Sequence, residues 1–268
     1  MKTQEHSVTR TPAIDLYCEV RGEGPAVVLI PGATGDAGHF TKSADILSDE
    51  FTVITYDRRG NSRSTQGADN DDVATIRAQA DDAASLIAAC GLDRAVVFGT
   101  SGGAIITLEL ITRHPDVVRG AVVHEPPLIS LLPQQDGPDP LEDVFKLAAA
   151  DPRAALEVFI KLNSSPTALD GLDAATRDRM FNNAEQLFSK EVKSFLTYQP
   201  NADALRRSMV PLTLLRSANG LPFAPVTNGW LESNLGLEEK IIGGHHAPYF
   251  DTAKTFAEEL RPYLRALI

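Results

Sequence analysis

The sequence predicts an α/β fold, in which helices cover both faces of a mostly parallel sheet and a helical insertion interrupts the alternation of strands and helices. Three observations support this prediction. Short apolar runs alternate with helical patterns over most of the chain. A glycine-flanked serine stands between one such run and one such helix, and the alternation stops after residue 125 and resumes near residue 210. A chain of 268 residues can bury one large core, which favours a single domain with an insertion over two domains.

The strands are predicted from apolar runs, and the helices are predicted from apolar residues at helical spacing. Runs of the strand type occur at residues 14–20, 26–30, 51–56, 95–99, 119–125, 211–217 and 239–244. Helical patterns occur at residues 73–90, 103–113 and 253–267. Gly91 is a suitable residue to end the first of these helices, and the uniformly apolar run 26–30 is typical of a strand buried on both faces.

A helical insertion over the sheet is predicted for residues 126–209. Its helical segments read DPLEDVFKLAAA, PRAALEVFIKL and ATRDRMFNNAEQLFSKEVKSFL. The chain therefore divides into a first core part at residues 1–125, the insertion at residues 126–209, and a second core part at residues 210–268.

The charge balance argues against a nucleic-acid partner. The net charge is −11, whereas binding to phosphates requires clustered Lys and Arg. The N-terminal residues lack the apolar segment of a secretory signal, and no apolar run is long enough to span a membrane. We therefore expect a cytoplasmic protein without membrane contact, as a monomer or a homodimer, that meets small neutral ligands.

The stretch GTSGG at residues 99–103 is the strongest chemical signal. Ser101 would lie on a sharp turn between a strand and a helix, where strained geometry lifts its hydroxyl above the edge of the sheet. Glycines two residues before and two after it avoid collisions with the neighbouring strand and helix. The N–H groups at the start of the helix could stabilise an oxyanion. Ser101 is therefore a candidate nucleophile.

Over nearly its whole length the chain resembles the α/β-hydrolase superfamily. The resemblance rests on the serine turn, LIPGATGD after the run 26–30, YDRRGNSRS at residues 56–64, and the terminal GGHHAPYF. It implies an eight-stranded sheet, catalysis without cofactor or metal, and an oxyanion hole formed by the backbone N–H groups of Ala33 and Gly102. Asp57, Arg58 and Arg59 are interpreted as structural residues of a turn.

Two adjacent histidines are candidates for the general base. In the superfamily the base commonly precedes the Phe of the last helix by ten residues, and His246 has this spacing to Phe256, whereas His245 does not. His246 is therefore favoured and His245 is kept as the alternative. A metal site at the pair is not expected, because adjacent side chains of a strand diverge and no nearby Cys or carboxylate completes a ligand set.

The triad acid is not in the place where most relatives have it. No Asp or Glu occurs from Leu212 to Leu231, and Asn219 stands at the usual position of the acid. Glu125, at the end of the strand that follows the serine helix, should lie beside Ser101 at the carboxyl edge of the sheet. Pro126 predicts an extended conformation for Glu125, which would direct it away from the strand end.

The region GTSGGAIITLELITRHPDVVRGAVVHEPPL resembles zearalenone lactonases and their bacterial relatives, in which the Glu of a His-Glu motif is the triad acid. This resemblance implies an ester or lactone substrate, with a macrolactone such as zearalenone as the best single guess. The ligand-contacting tryptophan of those lactonases has no counterpart here. Residues assigned to substrate binding are Gly32, Thr34, His39 at the pocket mouth, Pro127, Leu128, Leu187, Phe188 and Leu221. Carbon–carbon bond hydrolysis, perhydrolysis and a non-enzymatic receptor function remain alternatives.

Overall fold

A single sheet dominates the computed structural model of the chain, which describes residues 4–11, 14–65, 75–133 and 140–268. In these residues the sheet has eight strands in the order β1-β2-β4-β3-β5-β6-β7-β8. The strands are β1 (Gln4–Arg10), β2 (Asp15–Arg21), β3 (Ala26–Ile30), β4 (Thr52–Tyr56), β5 (Ala95–Thr100), β6 (Val118–His124), β7 (Leu212–Asn219) and β8 (Glu239–His245). β2 pairs antiparallel with β1 and β4, and all other pairs are parallel. The predicted mostly parallel eight-stranded sheet is confirmed.

The helices follow the strands in the alternation that the sequence predicts. They are α1 (Thr41–Leu47), α2 (Ile76–Ala89), α3 (Gly102–Arg113), α4 (Pro140–Ala148), α5 (Pro152–Asn163), α6 (Ala174–Asn182), α7 (Ala184–Gln186), α8 (Val192–Thr197), α9 (Ala202–Ser208), α10 (Ala224–Leu235), α11 (Pro248–Asp251) and α12 (Ala253–Arg265). A π-helical turn, Leu187–Glu191, joins α7 to α8. α1 packs against α12, whereas α2 packs against α3.

The described residues between β6 and β7 form helices and turns only, from α4 to α9. α4 and α5 pack around a small apolar cluster of Val144, Ala148 and Ala155. We keep the name insertion for residues 126–209. The most relevant contact for the site is made by Phe195 of α8, because a methyl group added to Gly102 would lie 2.8 Å from its ring. The insertion therefore contacts the turn that carries Ser101.

β1 is a strand that the apolar pattern did not predict. Its sequence, QEHSVTR, has one large apolar residue, Val8, and that side chain is 57% exposed. The strand forms because its backbone pairs with β2 over its full length, from Gln4 opposite Arg21 to Arg10 opposite Asp15. An edge strand of this kind needs backbone pairing but little apolar burial, so hydropathy does not reveal it.

α2 is shorter at its start than the predicted helix 73–90. Residues 73 and 74 lie outside the described part of the chain, and the helix begins at Ile76, where the hydroxyl of Thr75 accepts a hydrogen bond from Ala78 N. It ends at Ala89, and Gly91 has a positive φ of 74°. Gly91 therefore serves at the helix end as its residue type predicts.

The centre of the sheet is apolar and buried, and it positions the carboxyl ends of the parallel strands at one edge. Val28, Val97 and Val122, on three neighbouring strands, are each 0% exposed. The residues after β3, β5, β6, β7 and β8 therefore meet at one edge, where α/β sheets form their sites. Among the helices of the described ranges, none combines the length and the apolar character needed to span a lipid bilayer.

Candidate active site

Ser101 lies on the sharp turn between β5 and α3. Its backbone has a φ of 53° and a ψ of −125°, a conformation that residues other than glycine rarely adopt. Ser101 N donates a hydrogen bond to His124 O at 2.9 Å, which ties the turn to the end of β6. The serine therefore has the strained strand-to-helix geometry typical of an exposed nucleophile.

Gly99 and Gly103 allow this turn to pack closely. A methyl group added at Gly99 would lie 2.2 Å from Thr107 Oγ1, and one added at Gly103 would lie 2.2 Å from Ile30 O. Contacts of that length are not tolerated, so both positions require glycine. The helix that follows Ser101 can then approach the neighbouring strand β3.

Glu125 and His246 form a buried pair at the same sheet edge. Glu125 Oε2 lies 2.5 Å from His246 Nδ1, and Glu125 Oε1 accepts a hydrogen bond from Ser217 N at 2.8 Å. The exposed fractions of the two residues are 0% and 6%. Because Nδ1 faces the carboxylate, Nε2 is the imidazole nitrogen that remains for proton transfer.

The environment of Glu125 favours its charged form. Burial alone would raise the pKa of this carboxyl. The hydrogen bond and charge of His246 and the hydrogen bond from Ser217 N outweigh that effect and lower the pKa below its usual value. Glu125 is therefore suited to stabilise a protonated His246.

The backbone conformation predicted for Glu125 was wrong. Its φ is 46°, in the left-handed region, and not in the extended region that Pro126 favours. Two contacts with β7 explain the difference: Glu125 N donates to Leu215 O at 3.2 Å, while the side chain accepts from Ser217 N. These contacts override a local preference at a cost on the order of 1–3 kcal/mol.

The loop after β7 leaves room for the Glu125 carboxylate. Asn219, at the usual place of the acid, is exposed, and it is paired with His245, which is also exposed. A methyl group added to the next residue, Gly220, would lie 1.8 Å from Glu125 Oε1. The carboxylate thus fills a space beside this loop that any side chain at position 220 would take. Gly220 is the residue in the sequence that could have indicated this space. Its role depends on a contact with Glu125, which is distant in the chain, so local sequence patterns do not reveal it.

The loop after β3 lies beside the serine. A methyl group added to Gly32 would lie 2.9 Å from Ser101 Cβ, and Thr34 has a positive φ of 63°. Ala33, between them, is half-buried, while Gly102 is buried at the start of α3. The loop that carries Ala33 thus reaches Ser101 at Gly32, and Gly102 directly follows Ser101 in the chain.

Arg58 links this loop to the insertion. It donates to Gly32 O at 2.8 Å and makes two further hydrogen bonds, of 2.9 and 2.8 Å, to the carboxylate of Glu191 in the π-helical turn. The two side chains are 1% and 0% exposed, and Glu191 also accepts from Asn61 Nδ2 at 2.7 Å. The interpretation of Arg58 as a turn residue was incomplete, because its partner is 133 residues away along the chain.

A second group of contacts holds the same loop. Asn183, between α6 and α7, donates to Thr34 O at 2.7 Å and to Ser62 Oγ at 2.8 Å. Arg179 of α6 binds the buried carboxylate of Asp36, with its Nε 2.7 Å from Oδ2. The insertion is therefore bound by buried polar contacts to the loop that carries Ala33.

We expect Glu191→Gln to lower the free energy of unfolding by about 3–5 kcal/mol, because it leaves the Arg58 guanidinium buried without a counter-charge. Glu157→Gln is the control, since it removes the exposed pair with Lys161 on α5 and should change stability little. Urea denaturation of both variants measures the difference. Equal stability of the two would show that the buried pair does not hold the insertion.

The residues assigned to substrate binding lie in different environments. His39, expected at the pocket mouth, is only 2% exposed and meets the Phe250 ring edge-on at 5.1 Å. Phe188 packs inside the insertion against Phe145 and Phe159, with ring centroids 6.4 and 6.3 Å away. Of the others, Thr34, Leu128 and Leu187 are buried, while Pro127 and Leu221 are half-buried. The structure brings Gly32 to Ser101 and directs Phe188 into the insertion.

Two buried histidines predict acid sensitivity of the fold. Burial lowers the pKa of both His39 and His124 to about 4, below the value of 6.5 in the unfolded chain. Between these pH values the unfolded chain binds more protons than the folded one, so stability falls as pH decreases from about 6.5 to about 4. We expect Tm to fall over this range, and to fall less in His124→Gln, which has no proton to gain. If Tm falls equally steeply with decreasing pH in the wild type and in His124→Gln, His124 does not have a lowered pKa in the folded protein.

No group of three His, Cys, Asp or Glu side chains within the described ranges is arranged to hold a metal ion. The two histidines of the terminal motif differ in their surroundings. His245 is exposed at the end of β8, whereas His246 is buried against Glu125. Of the two, only His246 pairs with a carboxylate in the described structure.

Comparison with known proteins gives matches along nearly the whole chain. A sequence model of the alpha/beta hydrolase family matches residues 27–259. YraK, an uncharacterized hydrolase of Bacillus subtilis, is 31% identical over 98% of this chain and 97% of its own. A zearalenone hydrolase of Cladophialophora bantiana is 28% identical over 94% of each chain.

Solved structures give the same fold at low identity. An esterase from Thermogutta terrifontis superposes with a TM-score of 0.75 and 20% identity, covering 100% of this chain and 99% of that one. An enol-lactonase from Burkholderia xenovorans superposes with a TM-score of 0.78 and 18% identity, covering 97% and 100%. At these identities the superpositions are informative about the fold alone.

Proposed function

Because the chain belongs to the α/β-hydrolase family, we propose that it is a cofactor-free serine hydrolase that cleaves a carboxylic ester or lactone. The observation that carries this proposal is the buried Glu125–His246 pair, with 2.5 Å between Oε2 and Nδ1, at the sheet edge where Ser101 has its strained turn. A nucleophile, a base and an orienting acid at one edge are the parts that acyl transfer requires.

The proposed reaction has two steps. Ser101 Oγ attacks the substrate carbonyl while His246 Nε2 takes its proton, and Glu125 stabilises the resulting imidazolium. The N–H groups of Ala33 and Gly102 bind the oxyanion of the tetrahedral intermediate. His246 then gives the proton to the leaving alkoxide, and an acyl-enzyme remains. Water, activated by the same histidine, hydrolyses that ester and regenerates Ser101.

The insertion suggests that the substrate is apolar. It places Phe195 against the serine turn, and Leu187 and Met180 belong to the same apolar core. Binding sites that are mostly apolar take apolar ligands and orient them by a few polar groups. Together with the relationship to a zearalenone hydrolase, this favours a macrolactone such as zearalenone as the substrate.

A hydrolysis screen tests the proposed function. Aryl esters, macrolactones including zearalenone, and β-diketones are incubated with the wild-type protein and with Ser101→Ala, and the products are separated by chromatography. We expect acid and alcohol products from esters or lactones with the wild type only. Cleavage of β-diketones alone would favour carbon–carbon bond hydrolysis, peracid formation with hydrogen peroxide would favour perhydrolysis, and ligand binding without any turnover would favour a receptor.

We expect Gly220→Ala to lower kcat on a hydrolysed ester by about 100-fold, because displacing the Glu125 carboxylate by about 1 Å misplaces His246. Gly229→Ala in α10 is the matched control, since a methyl group there has no atom within 4 Å. Initial rates and Tm are measured for both variants. If Gly220→Ala is as active as Gly229→Ala, the space beside Glu125 is not needed for the reaction.

A further inference from the structure

We propose that His124 is a positioning residue, a buried imidazole that ties together the ends of β5, β6 and β7 and thereby holds Glu125 and His246 in place relative to Ser101. This inference rests on the proposed function. His124 lies at the end of β6, and its side chain contacts residues at the ends of β5 and β7.

Both ring nitrogens of His124 bind hydroxyl groups of the neighbouring strands. Nδ1 lies 2.9 Å from Thr100 Oγ1, and Nε2 lies 3.0 Å from Ser217 Oγ. The residue is 0% exposed. A neutral imidazole has one donor and one acceptor nitrogen, and a hydroxyl can serve either role, so both bonds can form at once.

Each end of this connection stands next to a residue of the proposed triad. Thr100 directly precedes Ser101, and His124 directly precedes Glu125. Ser217 donates its backbone N–H to Glu125 Oε1 at 2.8 Å. The bond to Thr100 therefore joins the end of β5, which leads into Ser101, to the end of β6, which leads into Glu125, and the bond to Ser217 joins β6 to the strand that holds the Glu125 carboxylate.

The backbone and the ring of His124 add three further contacts. His124 O accepts the hydrogen bond of Ser101 N at 2.9 Å. Its ring lies nearly parallel to that of His246, with centroids 6.2 Å apart and an angle of 25° between the planes. The ring of Phe98 is also nearly parallel to that of His124, with centroids 6.4 Å apart and an angle of 25°. The imidazole of His246 is thus supported by a ring that cannot shift without breaking two hydrogen bonds.

The charge state of His124 suits this role. Burial lowers its pKa to about 4, although the nearby carboxylate of Glu125 acts in the opposite direction. At neutral pH the ring is therefore uncharged. A second positive charge beside His246 would oppose the imidazolium that forms when Ser101 loses its proton.

The test compares wild type, His124→Phe, Ser217→Ala and the double variant. Phenylalanine keeps a ring of similar size and removes both hydrogen bonds, whereas Ser217→Ala removes one bond and leaves the backbone contact with Glu125. We measure kcat and KM on an aryl ester, the second-order rate constant for inactivation by a fluorophosphonate, and Tm. We expect His124→Phe to lower kcat and the inactivation rate constant by about 10- to 100-fold, with KM within about twofold.

Ser217→Ala alone is expected to lower both rates by a smaller factor, and to cost little more when it is added to His124→Phe, because the bond is already lost. His124→Phe with wild-type rates, or additive losses in the double variant, would overturn the inference. If His124→Phe does not fold, Ser217→Ala with wild-type rates overturns it. A wild type that does not react with fluorophosphonate contradicts the proposed function itself, whereas equal reactivity of wild type and variants contradicts only the role of His124.

Discussion

Replacing Ser101 with alanine is expected to lower kcat by about 10⁶-fold on any ester that the protein hydrolyses, because no other group can form the acyl-enzyme. A residual rate above that of the uncatalysed reaction should remain, since the oxyanion donors of Ala33 and Gly102 are unchanged. Initial rates at saturating substrate measure the loss. Ser233→Ala, on the exposed side of α10, is the control and should keep the wild-type rate.

A loss of less than about tenfold in Ser101→Ala would contradict the assignment of the nucleophile. In that case water would attack the carbonyl directly, and Ser101 would have only a structural role in the turn. Thermal unfolding of the variant shows whether a loss of activity is caused by loss of the folded state. Alanine keeps the Ser101 N–H that donates to His124 O, so we expect Tm to be close to that of the wild type.

Glu125→Gln is expected to lower kcat by about 10³- to 10⁴-fold, as the loss of a triad carboxylate does when the geometry is kept. Glutamine has nearly the shape of glutamate, and its amide oxygen can still accept the bond from Ser217 N. It cannot balance the charge of a protonated His246. The measurement is kcat on the same ester, together with a check that Tm is retained.

Asn219→Ala is the matched control, because Asn219 stands where most relatives carry the acid but is exposed. We expect it to keep a rate close to that of the wild type. An inactive Asn219→Ala together with a fully active Glu125→Gln would show that Glu125 is not the triad acid and that Asn219, at the end of β7, is needed instead. The structure would then lack an explanation for the burial of Glu125.

The elements that were predicted best from the sequence are those whose residue types alone indicate whether they are buried. β3 consists of apolar residues, β5 begins with four of them, and each strand is buried almost throughout, so hydropathy alone identifies both. The serine turn is also recognisable locally, because Gly99, Ser101 and Gly103 stand within five consecutive residues between a strand and a helix. The fold class follows from the order of such elements and is confirmed.

The elements that the sequence did not predict depend on partners far along the chain. β1 exists because β2 offers a free backbone edge, and its own residues carry little apolar signal. The conformation of Glu125 is determined by hydrogen bonds to Leu215 and Ser217 in β7, which outweigh the effect of the adjacent Pro126. A prediction from neighbouring residues in the sequence cannot take account of contacts that form only when the sheet assembles.

The same limit applies to the residues that support the site. The sequence marked Arg58 as part of a turn, yet the structure shows it bound to Glu191 of the insertion. His124 falls within the predicted strand 119–125, but its two hydroxyl partners lie on two other strands. Such polar connections join elements that are distant in sequence, so spacing does not reveal them.

If Ser101 is the nucleophile, a reagent that modifies activated serines should react with it, and the position of the covalent adduct identifies the residue. The wild type is treated with a fluorophosphonate at neutral pH and digested with trypsin, and the modified peptide is located by mass spectrometry. We predict one adduct per chain on the peptide of residues 95–113, with fragment ions that place it on Ser101, and no adduct in Ser101→Ala. An adduct on another residue, or an unmodified wild type that still hydrolyses esters, would contradict the account.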